Sequence, residues 1–170
     1  MNIDKFKAIF WRGFARPTLY RVFFPAMNGY SGDALNIMTD SLQWPGKQIK
    51  TTEHATGMLE TKRPYAHGYE AMTITFILGN DWTAWNYIKD WQDMIVIASD
   101  TGRDHFVEYK NVYQRNITIE HLDATHNRLR RIELVNAFPT SLQSMELSNG
   151  SLNQVMRVVA VFDYDYWRTL

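Results

Sequence analysis

Between residues 70 and 78 apolar and polar side chains alternate: Met72, Ile74, Phe76 and Leu78 share one face, Thr73 and Thr75 the other. A two-residue period predicts a half-buried strand. Gly79-Asn80-Asp81 ends it, and Asp81 is placed to cap a helix over about 82–98. In that helix Trp85, Ile88, Trp91 (or Gln92) and Ile95 recur at helical spacing, with Trp82 at its entrance. Upstream, residues 18–24 form a strand that Pro25 stops, followed by a polar turn from Asn28 to Gly32. Residues 34–43 predict a second strand through Leu35 and Ile37, broken at Trp44-Pro45-Gly46. Downstream, residues 116–122 and 129–136 predict a hairpin about the turn from Asp123 to Asn127, with Ile117, Ile119, Ile132 and Leu134 facing inward. Residues 140–147 predict a further strand, and Asn149-Gly150 a tight turn. Residues 153–167 then alternate as one long strand, with Met156, Val158, Ala160, Phe162, Tyr164 and Tyr166 on one face.

Three segments lack a clear period. Residues 1–16 form an arm carrying Phe6, Ile9, Phe10, Trp11 and Phe14, enough apolar material to require docking on the domain or on a neighbour. Residues 47–69 are polar and contain Gly57, Pro64 and Gly68; the stretch 47–68 reads as a projecting loop or long hairpin. Residues 99–113 are mixed, with Gly102 and an aromatic cluster at Phe106, Tyr109 and Tyr113. No repeat or linker divides the chain, so residues 1–170 form one domain. The expected fold is mainly β: a β-sandwich or barrel of six to eight strands with one packed α-helix.

Composition narrows the function. Aromatic residues make up 14% of the chain, far more than a disordered segment carries. Formal net charge is +0, from 18 basic and 18 acidic residues. A duplex DNA binder shows a basic excess, because its affinity comes from phosphate neutralisation. Balanced charge favours self-association instead. The absence of cysteine excludes disulfides, thiol catalysis and cysteine-based zinc sites. The N-terminal Met-Asn-Ile-Asp-Lys-Phe-Lys holds no apolar core of signal-peptide length. Apolar runs such as Met94 to Ala98 are too short to span a bilayer, so no membrane is expected as a partner.

Residue chemistry offers no active site. His121 and His126 flank a turn with Glu120 and Asp123 nearby, but their spacing matches no metal-ligand motif and a solvated turn accounts for them. Asp104-His105 would need a nucleophile, and no serine lies in a nucleophile-elbow context. Asp163 and Asp165 share a predicted strand face as an acid–base pair would, and equally as solvated or ion-paired carboxylates would. Arg128, Arg130 and Arg131, beside Glu133, suit an ion-paired face better than nucleic-acid recognition. No glycine-rich phosphate loop is present. No enzyme, metal site or cofactor is expected.

Several segments match a known pattern in order. Gly13-Phe14-Ala15-Arg16-Pro17-Thr18-Leu19-Tyr20-Arg21-Val22 resembles the first strand of tail tube proteins of contractile-tailed bacteriophages, which often begin F-A-R-P-N. Leu42-Gln43-Trp44-Pro45-Gly46 resembles that family's L-P-G turn, with Gln43-Trp44 departing from its smaller residues. Tyr69 to Leu78 with Asp81 to Ile95 resembles its strand and its helix ending in D-W-Q, here Asp90-Trp91-Gln92. Asn136-Ala137-Phe138-Pro139-Thr140-Ser141-Leu142 resembles its N-A-F-P-T segment, and Phe162-Asp163-Tyr164-Asp165-Tyr166-Trp167 its closing strand. The match spans about residues 10–168; residues 97–115 do not align.

The resemblance implies a structural subunit of hexameric rings stacked into a tube inside a contractile sheath, with a channel for genomic DNA and the tape-measure protein. Its partners would be further copies, the sheath protein and a baseplate tube initiator. It would be assembled in the host bacterial cytoplasm and sit in the virion tail, contacting DNA in transit without reading its sequence. On this reading Phe10, Trp11, Arg16, Trp44, Lys62, Arg63 and Tyr65 are candidates for contacts between copies, and Glu120, Asp123, Glu133 and Glu146 for the channel wall. Two alternatives remain open. One is the tube protein or baseplate tube initiator of a contractile injection particle; the other, of a different class, is a small ligand-binding β-barrel.

Overall fold

The computed structural model describes residue 3 and residues 15–56, 59–98, 105–148 and 154–170. In chain order the elements are β1 (Tyr20–Phe23), α1 (Gly32–Met38), β2 (Thr39–Leu42), β3 (Lys47–Thr56), β4 (Leu59–Tyr69), β5 (Met72–Ile77) and α2 (Thr83–Ile95). There follow β6 (Val96–Ala98), β7 (His105–Val107), α3 (Lys110–Tyr113), β8 (Arg115–Leu122), β9 (Arg128–Leu142), β10 (Arg157–Asp163) and β11 (Tyr166–Thr169). Seven strands make one antiparallel sheet in the order β1-β8-β9-β10-β5-β2, with β11 also on β9. β3 with β4, and β6 with β7, form two separate two-stranded ribbons.

The strong periodicities set the core. Met72, Ile74 and Phe76 on β5, Val158, Ala160 and Phe162 on β10, and Ile117, Ile119, Ile132 and Leu134 on the β8–β9 hairpin are all buried. α2 closes over them with Ala84, Tyr87, Ile88 and Trp91; Ile88 and Trp91 are buried as predicted, Trp85 packs partly buried against the core, and Ala84 and Tyr87 widen the stripe. Phe24 meets Phe76, Tyr87 and Phe162, and Trp91 meets Tyr87 and Phe162, in edge or tilted contacts with ring centroids 5.6–6.2 Å apart. Both polar rings in this cluster are satisfied. The Tyr87 hydroxyl donates to the Pro25 carbonyl at 2.7 Å and Trp91 Nε1 to the Tyr113 carbonyl at 2.7 Å. Burial raises the Tyr87 hydroxyl pKa far above its ordinary value.

Four expectations about secondary structure are corrected. Residues 34–43 are not one strand: Gly32–Met38 is helical and only Thr39–Leu42 is extended. Leu35 is 0% exposed and Ile37 is 84% exposed. Residues two apart share a face on a strand but diverge on a helix. Ser31 Oγ accepts from the Asp33 N–H and starts this helix. Gly32 is required there, because a Cβ would lie 2.0 Å from the Phe24 carbonyl oxygen. The long helix starts at Thr83 and ends at Ile95, and Trp82, in the left-handed region at φ 55, takes the cap position assigned to Asp81. Asp81 instead holds the Thr83 N–H and hydroxyl through its carboxylate. Three helices, rather than one, are present among the described residues.

The third correction concerns β9, which runs unbroken through residues assigned to two strands, while 143–148 are not strand. Pro139 is tolerated because there β9 pairs only with β10; the β8 ladder has ended at Ala137. The fourth concerns the C-terminal alternation, which breaks at Tyr164-Asp165. The phase then slips, so Trp167 rather than Tyr166 packs against the core. Asn136, at φ 58, marks the break on β9. Its Nδ2 donates to Asp165 Oδ2 at 2.7 Å, and Lys110 pairs with the other carboxylate oxygen. Phe106, Tyr109 and Tyr113 form no cluster: the first two are exposed and Tyr113 is buried. The Asn149-Gly150 turn and most of the N-terminal arm lie outside the described residues.

Two outcomes follow. Phe162→Ala should cost about 3–5 kcal/mol by denaturant unfolding, whereas Asp163→Asn on the outward side should cost under about 1 kcal/mol. Bonds from Lys110 and Asn136 hold the Asp165 carboxyl below its ordinary pKa. Its contribution is therefore present above about pH 4 and lost as pH falls through the lowered folded value. The gap in urea midpoint between the wild type and Asp165→Ala should be largest near neutral pH and should narrow as pH falls from about 5 to 3.

Candidate assembly surfaces

The β3–β4 ribbon is a ladder of ten cross-strand pairs, from Lys47↔Tyr69 to Thr56↔Leu59, interrupted by a bulge after Lys50. Ten strand residues span about 33 Å. Every described side chain from Lys47 to His67 is exposed. Ile49 and Tyr65 are about two-thirds exposed. The ribbon pairs with no other strand among the described residues. A lone two-stranded ribbon is marginal in water, so this one calls for a partner surface. Its root is anchored. Trp167 Nε1 donates to the Gly46 carbonyl at 3.3 Å, and Tyr69 lies edge-on or tilted against Trp167 and Tyr164. Burial, and then the Glu70 carboxylate, push the Tyr164 hydroxyl up to about 12.

The β6–β7 ribbon is shorter and more apolar. Val96↔Val107 and Ile97↔Phe106 are cross-strand pairs, and all four side chains are exposed. Apolar groups thus lie on both of its faces. A third surface is a groove of about 590 Å³ lined mainly by Pro17, Tyr20, Leu42, Trp44, His121 and Leu129. His121 Nε2 lies 2.9 Å from the Arg16 carbonyl oxygen, and the Trp44 ring stands edge-on to the His121 ring at 6.5 Å.

The outward face of β1, β8, β9 and β11 carries charges in register. Arg21, Glu120 and Arg131 are successive cross-strand neighbours, as are Thr118, Glu133 and Arg168. Glu120 Oε1 lies 3.7 Å from both Arg128 Nη1 and Arg131 Nε, and Glu133 Oε2 lies 2.6 Å from the Arg168 guanidinium. Asn116 Nδ2 also donates to Glu133. Opposite charges alternate across the sheet, and neither carboxylate is left free.

The sequence-predicted residues fall into separate places. Lys62, Arg63 and Tyr65 gather on the β3–β4 ribbon, with Lys62 at 3.6 Å from Glu53. Arg16 and Trp44 meet at the groove through His121. Phe10 and Trp11 lie outside the described residues, as does Asp104. Glu120 and Glu133 stand on the charged face. Asp123 turns inward on its own loop, accepting from the Thr125 N–H and hydroxyl and from the Asn127 N–H at 2.7–2.8 Å, which lowers its pKa. Glu146 is exposed in the non-strand segment that follows β9. Sequence reading missed the β6–β7 ribbon, because Val96 to Ala98 extend the apolar run of the helix. The β-branched run Ile95-Val96-Ile97 is the signal that marks it. No three His, Asp or Glu side chains converge as a metal site among the described residues, and no described helix is long and apolar enough to cross a membrane.

Comparisons with known proteins agree with this architecture. A model of the phage tail tube protein family matches residues 15–170. A chain in the cap that terminates the tube of the anti-feeding prophage superposes with a TM-score of 0.68 at 18% identity, covering 92% of this chain and 91% of that one. A chain in the six-fold symmetrised baseplate of the same particle gives 0.65 at 15% identity, covering 92% and 95%. A chain in the extended sheath–tube complex of an extracellular contractile injection system, PVC, gives 0.62 at 18% identity, covering 96% and 97%. At these identities the likeness is one of fold. No curated protein matches the chain.

Because Ile49 and Tyr65 on the β3–β4 ribbon are about two-thirds exposed, Ile49→Ser and Tyr65→Ser should each change the stability of the unassembled subunit by under about 0.5 kcal/mol, read from urea midpoints.

Proposed function

This chain belongs to the phage tail tube protein family, and we propose that it is the repeating subunit of a tube: six copies close a ring, and rings stack into a rigid conduit inside a contractile sheath. The observation that carries this reading is the β3–β4 ribbon, a long exposed pair of strands that, among the described residues, is anchored only at its base. Its folded body needs no partner, but its ribbon does. Seating the ribbon of one copy on the next ring would satisfy it, and Lys62, Arg63 and Tyr65 would then lie in the contact. A ring of identical head-to-tail contacts that closes, then repeats along its axis, generates a tube.

The face bearing Glu120 and Glu133 is the proposed channel wall. A conduit that releases a genome quickly must not bind it along its length, and each free Lys or Arg reaching a phosphate adds affinity that a repeating channel multiplies. On this face Arg128, Arg131 and Arg168 are already engaged by carboxylates. DNA would pass without sequence-specific contact, together with the tape-measure protein. Assembly in the bacterial cytoplasm from a baseplate initiator belongs to the same reading. A second reading, the tube of an extracellular injection particle, is favoured by the near-complete mutual coverage with the anti-feeding prophage and PVC chains. Both readings are structural rather than enzymatic.

Purified protein, seeded with baseplate if necessary, should form tubes of uniform width with six-fold symmetry by electron microscopy, and Tyr65→Asp should abolish them while leaving the subunit folded. Tubes should retain little duplex DNA at low salt. A subunit that stays monomeric at high concentration, with and without seed, would sink the proposal.

A further inference from the structure

The β6–β7 ribbon has the wrong surface for solvent. Its Val96/Val107 and Ile97/Phe106 pairs leave apolar side chains exposed on both faces, and Phe106 is 63% exposed. Three-residue strands paired only with each other are not stable in water without cover. Val96 looks onto a shallow groove with Phe138 and Pro139 on this chain, which leaves the Ile97/Phe106 face without cover among the described residues.

The Trp44–Leu129 groove is the converse shape. It is concave and mostly apolar, and Trp44 and Leu129 stay exposed within it. Its volume of about 590 Å³ is ample for a pair of large side chains. The two features lie toward opposite ends of β9: the groove at Leu129 and Arg130, the ribbon beside Phe138 and Pro139. Up to roughly 30 Å of extended strand separates them, so no subunit can fill its own groove with its own ribbon. Charge agrees. Among the described residues Arg130, which rims the groove, has no carboxylate partner, and Glu108, which follows the ribbon, has no cationic one and accepts from the neighbouring Tyr109 N–H. A knob and a hole at opposite ends of one chain, each with an unpaired charge of opposite sign, make a heterologous contact.

We propose that the β6–β7 ribbon of one copy seats in the Trp44–Leu129 groove of the next, with Ile97 and Phe106 against Trp44 and Leu129 and with Glu108 facing Arg130. This rests on the reading that the chain polymerises, and it names a contact distinct from that of the β3–β4 ribbon. The groove is thereby a subunit socket rather than a ligand site.

The absence of native cysteine makes the test direct. Tubes are assembled from Ile97→Cys/Leu129→Cys protein and treated with mild oxidant or a short bis-maleimide. The expected result is a ladder of covalent multimers on denaturing gels. Ile97→Cys and Leu129→Cys proteins mixed before assembly should give covalent dimers, whereas tubes of Ile97→Cys alone should not. Separately, Glu108→Arg and Arg130→Glu should each raise the critical concentration for assembly several-fold, and the double variant should restore it. Normal tubes without crosslinks, and with no charge-swap rescue, would overturn the socket while leaving the tube reading intact. A Trp11→Cys/Leu129→Cys protein that crosslinks within one chain would overturn it too, by showing that the N-terminal arm holds the groove. Failure of every variant and of the wild type to assemble would remove the tube reading and the socket together.

Discussion

The fold depends on one kink in one strand. β9 pairs with β8 and β11 along its first half and with β10 along its second, so it joins the two parts of the sheet. It does so through Asn136, whose left-handed backbone few other side chains would accept at comparable cost. Opposite it, Asp165 binds the Asn136 side chain and Lys110 and donates its own N–H to the Val135 carbonyl. The break between β10 and β11 is the complement of this kink. One slip of register there sends Trp167 inward, and Trp167 in turn holds Gly46 and Tyr69 at the root of the long ribbon. A surface feature is thus aimed by a bulge in the core sheet.

The molecule combines a finished interior with an unfinished exterior. Buried aromatic rings fill the space between sheet and helix, and their polar atoms are bonded. The β1 edge is covered locally: Asn36 on α1 accepts from the Val22 N–H at 2.9 Å, and the Tyr20 hydroxyl donates to the Asp40 carbonyl across the gap to β2. Protection of these edges discourages random strand pairing. Among the described residues, Ile49 and Tyr65 on the long ribbon, Ile97 and Phe106 on the short one, and Trp44 and Leu129 in the groove stay exposed. Balanced charge is compatible with self-association, since it spares the surface strong mutual repulsion.

Much of this was legible in the sequence, and the division has a physical basis. Strict alternation in Met72 to Leu78 and in Val158 to Phe162, and the Ile117/Ile119 and Ile132/Leu134 pairs, determined which faces would be buried, because a two-residue period leaves one arrangement that hides them. Net charge, the lack of cysteine and the ordered family segments pointed to a structural subunit without reference to any coordinates. Tertiary structure decided what local pattern leaves degenerate. Leu35 and Ile37 fit a strand as well as a helix until the edge of β1 and the close approach at Phe24 favoured α1. Val96 and Ile97 continue a helical run in sequence, yet they pair with β7, a partner that no local window contains. An ion-paired face was legible in Arg128, Arg130 and Arg131 beside Glu133, but only register across four strands decided the partners, setting Arg128 and Arg131 beside Glu120 and Arg168 beside Glu133. Short-range periodicity is written in the chain; pairing between distant strands, and the electrostatics that follow from it, exist only once the sheet has formed.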